Sequence, residues 1–301
     1  MEFLLQLKFT NSSKDIKELQ NGDYAIANGN SLMIINKKTF KIKEKLENHE
    51  KEINRVLETK SGKLITISAD QTIVIYELDE NNHYIFIQRI NETGKINSII
   101  ELSTEQILTC NCDNNIRLYK YNKENNIYEL DYSYDVKELV THAIEANNGK
   151  VLILTFDGDN NLLKLYSYNL NKKKIEKMII AQNSIVWNNY ESMINLSDKF
   201  VAINLFNTIA IIDKDNVSVF QITEFIKDFI STIGLYKNPN SIIYFTLSNK
   251  KFIWERNEEG VWEAKDENIN LNEERINCLM KTTDNKLLVG LEKGLKIFQF
   301  N

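Results

Sequence analysis

From Leu64 to Leu78 the chain reads LITISADQTIVIYEL, two apolar runs broken by a short polar turn. From Ile107 to Tyr121 it reads ILTCNCDNNIRLYKY, with the same order of apolar and polar positions. In both, a Thr stands four residues before an Asp and a Tyr six residues after it: Thr66, Asp70, Tyr76 and Thr109, Asp113, Tyr119. Related apolar runs end at Ile35, Tyr166, Ile212, Trp254 and Phe298, so the seven run ends are spaced by 41, 43, 47, 46, 42 and 44 residues. A branched residue opens each unit from the second to the seventh, at Ile53, Ile96, Val140, Ile185, Ile230 and Ile276. Self-similarity at one period marks a repeat architecture.

Within a unit the pattern predicts four strands. In the second unit they are INRVLET, LITIS, TIVIYEL and YIFIQRI, separated by KSGK, ADQ and DENNH. Beta-branched and aromatic residues fill the runs, while Asn, Asp, Gly and Lys fill the gaps. The third strand is apolar at successive positions, which predicts burial on both faces. A four-stranded sheet covered on both faces and repeated at this interval is a propeller blade. The expectation is a single all-β domain over residues 1–301, a seven-bladed β-propeller. Its units fall near 15–52, 53–95, 96–139, 140–184, 185–229, 230–275, and 276–301 together with 1–14. Six blades or an open ring are the structural alternatives.

The S/T…D…[TN]-I-x-[IL]-[WY] core of these units resembles the WD40 repeat family, over essentially the whole chain. That resemblance implies a hydrogen-bonded network in each blade: a His before the first strand, a Ser or Thr on the second, an Asp in the next turn and a Trp on the third. His49, Thr66 and Asp70 match in unit two, with Tyr76 in place of Trp. Unit three keeps Thr109, Asp113 and Tyr119 without the His, and unit six keeps Trp254 without the Asp. The last unit has room for three strands, while EFLLQLKFT at the N-terminus is a strand without a unit. Pairing the two completes the last blade and closes the ring, which removes exposed edges.

Composition adds exclusions. Net charge is −5 with both signs interspersed, so the basic footprint of direct nucleic-acid binding is missing. Three cysteines, Cys110, Cys112 and Cys278, form no disulfide framework or paired metal spacing. No apolar run approaches a membrane span, and no leader is recognised at the N-terminus. These features fit the reducing cytoplasm of a eukaryotic cell. Pro occurs once and Gly is scarce, so Asn has to take turn positions that need positive φ.

His49, Thr66 and Asp70 read as blade architecture and not as a nucleophile set, since no nucleophile elbow accompanies them. Arg55, His142 and Trp187 each fall two residues after a unit opener, near one mouth of the expected channel. With Tyr190 and Trp262 they are the candidate partner-binding residues, because aromatic and Arg side chains dominate interface hot spots. No catalytic, cofactor-binding or metal-ligating residue is expected. The resemblance implies a non-enzymatic scaffold or adaptor in a multiprotein complex, binding proteins or peptides through the channel mouth or rim. The alternative is a metal-dependent lactonase or hydrolase at the central channel. For it, Asn54, Asn97 and Asn277 in INRV, INSI and INCL supply a candidate ring of amide ligands.

Overall fold

The computed structural model describes residues 2–183, 193–205, 208–222, 230–235, 240–246, 251–265 and 275–300. These residues form 28 strands in seven four-stranded antiparallel sheets, each a meander of consecutive strands except one. The second blade runs Ile53–Glu58, Leu64–Ser68, Thr72–Leu78 and Tyr84–Asn91 from centre to rim. The innermost strands of the others are Ser13–Glu18, Ile96–Glu101, Leu139–Glu145, Met193–Asn195, Ile230–Leu235 and Ile276–Lys281. Each packs against the innermost strands of both neighbours, and the seventh packs against the first. The molecule is a closed seven-bladed β-propeller.

The unbroken apolar runs have a direct cause. In the second blade, Leu64, Val74 and Tyr76 pack toward the first blade, while Ile65, Ile67, Ile73 and Ile75 pack toward the third. Alternate side chains point to opposite faces of a strand, and here both faces meet another sheet. The core is therefore seven clusters of buried apolar side chains, one in each gap between blades. Turns carry out the expected substitution of Asn for Gly: Asn82, Asn114, Asn126, Asn148, Asn161 and Asn285 all have positive φ.

Two sets of side chains tie neighbouring blades together. At the ends of four innermost strands, Glu18, Glu58, Glu101 and Glu145 accept the backbone N–H of Thr283, Gln20, Lys60 and Ser103 in the preceding blade. At the rim, Glu44 accepts the N–H of Tyr84 at 2.9 Å. Gln88 accepts from and donates to the backbone of Tyr128, and Gln221 does the same with Trp262. Each rim clasp satisfies an N–H at the start of an outermost strand, where the aromatic side chain turns into the gap between blades.

The odd sheet is the one that closes the ring. Its order places Glu2–Lys8 beside Gly294–Gln299, antiparallel, with Phe3 opposite Phe298 and Leu7 opposite Leu295. The expectation of an N-terminal strand completing the last blade holds. A bulge between Phe3 and Leu5 breaks the simple alternation, however. Leu7 and Phe9 pack into the gap between the last blade and the first, while Phe3 stays 53% exposed. Deleting residues 1–10 strips the backbone pairing from Gly294–Gln299 and opens a blade edge. We expect the deleted protein to melt more than about 5 °C lower and to aggregate with concentration. Calorimetry and light scattering check this, and an unchanged midpoint means that the strand contributes no closure.

Candidate functional site

The innermost strands surround a central channel of about 690 Å³. Each of six innermost strands has a bulge just after its opening residue. The residue that follows the bulge is Asp15, Arg55, Ser98, His142, Thr232 or Cys278. Asp15, Arg55, Ser98 and His142 line the channel. Arg55 donates to His142 Nε2 at 2.9 Å and stands 3.8 Å from Asp15 Oδ1. Asp15 in turn accepts the backbone N–H of Val56 at 2.8 Å and of Ile16 at 3.0 Å. A guanidinium only donates, so Nε2 of His142 accepts and its proton sits on Nδ1. That Nδ1 is buried and has no partner.

Burial pushes the Asp15 carboxyl up, against the pull of Arg55 and the two N–H groups. Burial, with the positive charge of Arg55, holds His142 well below the usual imidazole range. Arg55 and His142 were candidates from spacing, and the fold brings them into contact. Asp15 was not singled out, because the first unit shows little of the repeat motif.

The blade networks form a second group of polar side chains. In the second blade His49 bridges Asp70 at 2.9 Å and Thr66 at 2.8 Å, as expected. Tyr76 instead donates to Asn48 Oδ1 at 3.2 Å. In the third blade Glu92 takes the place of His49 and receives the hydroxyl of Tyr119. Arg117 lies between Glu92, at 3.1 Å, and Asp113. In the fourth, Glu138 accepts from Thr155 at 2.6 Å and from Tyr166 at 3.1 Å, and Lys164 joins it to Asp157 at 2.6 and 2.7 Å. Val74, Arg117 and Lys164 occupy one register, opposite Thr66, Thr109 and Thr155.

The co-substitution has an electrostatic reason. A neutral imidazole beside Asp70 needs no counter-ion, but a second buried carboxylate does. Where His becomes Glu, the apolar residue on the third strand becomes a cation. The Glu138 network was missed because the search was for a His. A Thr with a Tyr eleven residues on, as in Thr155 and Tyr166, could have found it.

Other expectations need correction. Trp262 is 2% exposed, packed between the fifth and sixth blades, so it is core and not a partner-facing anchor. Trp254 is buried in the same cluster. The amides of Asn54 and Asn97 donate to the carbonyls of Ile96 and Val140, and Asn277 donates to Ser12, so each ties its blade to the next and none joins a ligand ring. Trp187, Tyr190 and the opener Ile185 lie outside the described residues; the described innermost strand of the fifth blade begins at Met193. Among the described residues no group of three His, Cys, Asp or Glu side chains is placed to hold a metal ion, and no helix is long and apolar enough to cross a membrane.

Fold and channel together define a seven-bladed β-propeller with a polar cluster on its innermost strands. No family model matches the chain, and no curated protein matches it.

The networks generate two predictions. Arg117→Val leaves Glu92 and Asp113 without their cation and should destabilise the protein by about 3 kcal/mol. Adding Glu92→His recreates the arrangement of the second blade and should restore at least half of that loss. Urea denaturation of both single variants and the double variant checks the coupling; additive losses overturn it.

The second prediction concerns pH. His49 is lowered by burial, which outweighs Asp70, and His142 is lowered as above. The native imidazoles stay neutral while the unfolded chain takes up protons below about pH 6.5. The unfolded state then binds more protons, so stability is lost as the pH is lowered. At lower pH Asp70 acts in the same sense. Burial raises its carboxyl, but Thr72, the Glu50 N–H and His49 outweigh burial and leave it lowered. Asp15, which is raised, opposes the trend. The melting midpoint should fall between about pH 7.5 and 5.5, and fall less in His142→Gln. Parallel slopes for the two proteins mean that His142 is not the titrating group.

Proposed function

We propose that this protein is a non-catalytic interaction platform of the WD40 type, a subunit that binds another protein at its rim. One observation carries the reading. At the junction of the fifth and sixth blades, Val219, Phe220 and Ile222 on the outermost strand Ser218–Ile222 are exposed, together with Val261 just before Trp262. Phe220 is 45% exposed and Ile222 is 48% exposed. The Gln221–Trp262 clasp fixes the two blades at this point, so the side chains are displayed on a rigid frame. A free strand edge carrying apolar side chains favours pairing with another chain. Arg256 lies over the Phe200 and Phe220 rings and adds a cation to the same patch.

In the channel, Nε2 of His142 accepts from the guanidinium of Arg55. The test is affinity capture from the native cell, comparing the intact protein with Phe220→Asp/Ile222→Asp. Both positions are exposed, so the variant should melt within about 1 °C of the parent. Specific proteins recovered with the parent should be lost with the variant. Equal recovery of the same proteins by both removes the rim from the interface.

A further inference from the structure

The rims of the third and fourth blades carry opposite charges. The outermost strand Ile127–Asp135 holds Glu129, Asp131 and Asp135 and no basic residue. The outermost strand Lys174–Asn183 holds Lys174 and Lys177, follows Lys172 and Lys173, and has Glu176 as its one acid. Part of this charge is used within the chain, since Glu176 meets Lys172 at 2.8 Å and Asp135 meets Lys137. Glu129 and Asp131 accept from the amides of Asn122 and Gln106. Lys120 stands opposite Glu129 in register, but among the described residues Glu129, Asp131, Lys174 and Lys177 form no ion pair. Lys173 Nζ lies 4.3 Å from the centre of the Tyr132 ring, so the two strands flank one junction. They also match in height. Leu130 pairs with Tyr119 and Met178 with Tyr166, the ends of equivalent apolar runs. Leu130 is 55% exposed and Met178 is 52% exposed. Glu129 and Lys177 each stand one residue before them.

From this arrangement we infer that the rim at the third and fourth blades docks a second copy of this chain, in a dimer whose two-fold axis runs parallel to the channels. A two-fold contact is reciprocal: each copy offers the same patch to the other. An axis parallel to the channel preserves height and exchanges left with right, so the third blade of one copy faces the fourth blade of the other. Leu130 then meets Met178, and Glu129 meets Lys177, each of them twice. An axis along the tangent of the rim sets the acidic strand against its own copy and the basic strand against its own copy, and both contacts are repulsive. The charges therefore choose the orientation. The apolar pairs supply most of the attraction, because exposed ion pairs contribute little. The order of acid, apolar and base recurs once, at Glu2–Phe3 and Lys41–Ile42 on the seventh and first blades. There one acid faces two bases, Lys41 and Lys43, so the balance is poorer, and Ile42 serves as the control.

The dimer is independent of the partner proposed at the fifth and sixth blades. Sedimentation velocity of the full-length protein over a concentration series reads the association. The parent should form a concentration-dependent dimer that added salt weakens. Glu129→Lys and Lys177→Glu each bring like charges together and should weaken it more than about tenfold. The two changes in one chain restore opposite charges and should recover most of the association, as should an equimolar mixture of the two single variants. Leu130→Ser/Met178→Ser should abolish the dimer, while Ile42→Ser leaves it unchanged. All these positions are exposed, so each variant should melt within about 1 °C of the parent. A parent that stays monomeric up to roughly 0.5 mM, single charge reversals without effect, or no recovery in the double reversal overturns the assignment. So does a dimer that survives Leu130→Ser/Met178→Ser or is lost in Ile42→Ser. Should a charge variant fail to fold, the comparison of the two serine variants decides by itself.

Discussion

A four-stranded sheet with apolar side chains on both faces cannot remain alone in water. Each blade of this protein is such a sheet, and every other feature follows from covering its second face. One neighbour covers one face and leaves the other bare, so the arrangement is complete only when the last blade meets the first. Magnitudes support this order of importance. A fully buried Ile, Leu or Tyr contributes about 1.5–3 kcal/mol, and each gap between blades contains several. A single clasp such as Glu58 on the Gln20 N–H contributes about 1 kcal/mol net. Burial drives the blades together, and the clasps decide how they sit. That division explains why clasps occur at both ends of the strands: one at the centre and one at the rim fix the angle between neighbouring sheets.

The buried polar networks answer a different need. A third strand wedged between two sheets brings a polar cluster with it at the top of the blade, and a half-satisfied cluster costs more than none. Two compositions satisfy it in this chain. One uses neutral His49 with Asp70; the other uses two carboxylates with Arg117 or Lys164 between them. Replacement of His by Glu without the accompanying cation is absent from the three networks, as expected if the cost falls on an unpaired buried charge. The networks therefore vary in residue type while keeping one geometry, which is how a repeat becomes hard to recognise without ceasing to be a repeat.

That same variation explains how much the sequence disclosed. The period, the unbroken apolar runs and the Thr–Asp–Tyr spacing follow from burial on two faces, and they were legible because packing constrains residue type at every such position. The closing strand was legible by counting, though its bulge between Phe3 and Leu5 was not, since a strand's residue types do not mark where its pairing shifts. Trp262 misled because an aromatic side chain fits an interface hot spot as well as it fits a core. The first residue of an outermost strand turns into the gap between blades, and only the pairing with Gln221 reveals it. Asn54 and Asn97 were candidate ligands only under the alternative of a channel enzyme, because equal positions in equal repeats can form a ring. The amides instead reach sideways to the next blade, a direction that periodicity alone does not give.

The residues following the six bulges carry this argument to function. Asp15, Arg55, Ser98, His142, Thr232 and Cys278 share one register, yet they carry five different functional groups. Their neighbours in the strand repeat closely: Ile53, Ile96, Ile230 and Ile276 before them, and Val56, Ile99, Ile233 and Leu279 after them. A position dictated by packing between like sheets has no reason to differ from blade to blade. A position released from that packing can, as at Asp15, Arg55, Ser98 and His142, which line the channel, whereas Thr232 and Cys278 in the same register stay buried. Two unrelated side chains, Arg55 and His142, come within 2.9 Å across blades that are 87 residues apart in sequence. The repeat builds the channel, and in four blades its unrepeated register places a polar side chain there.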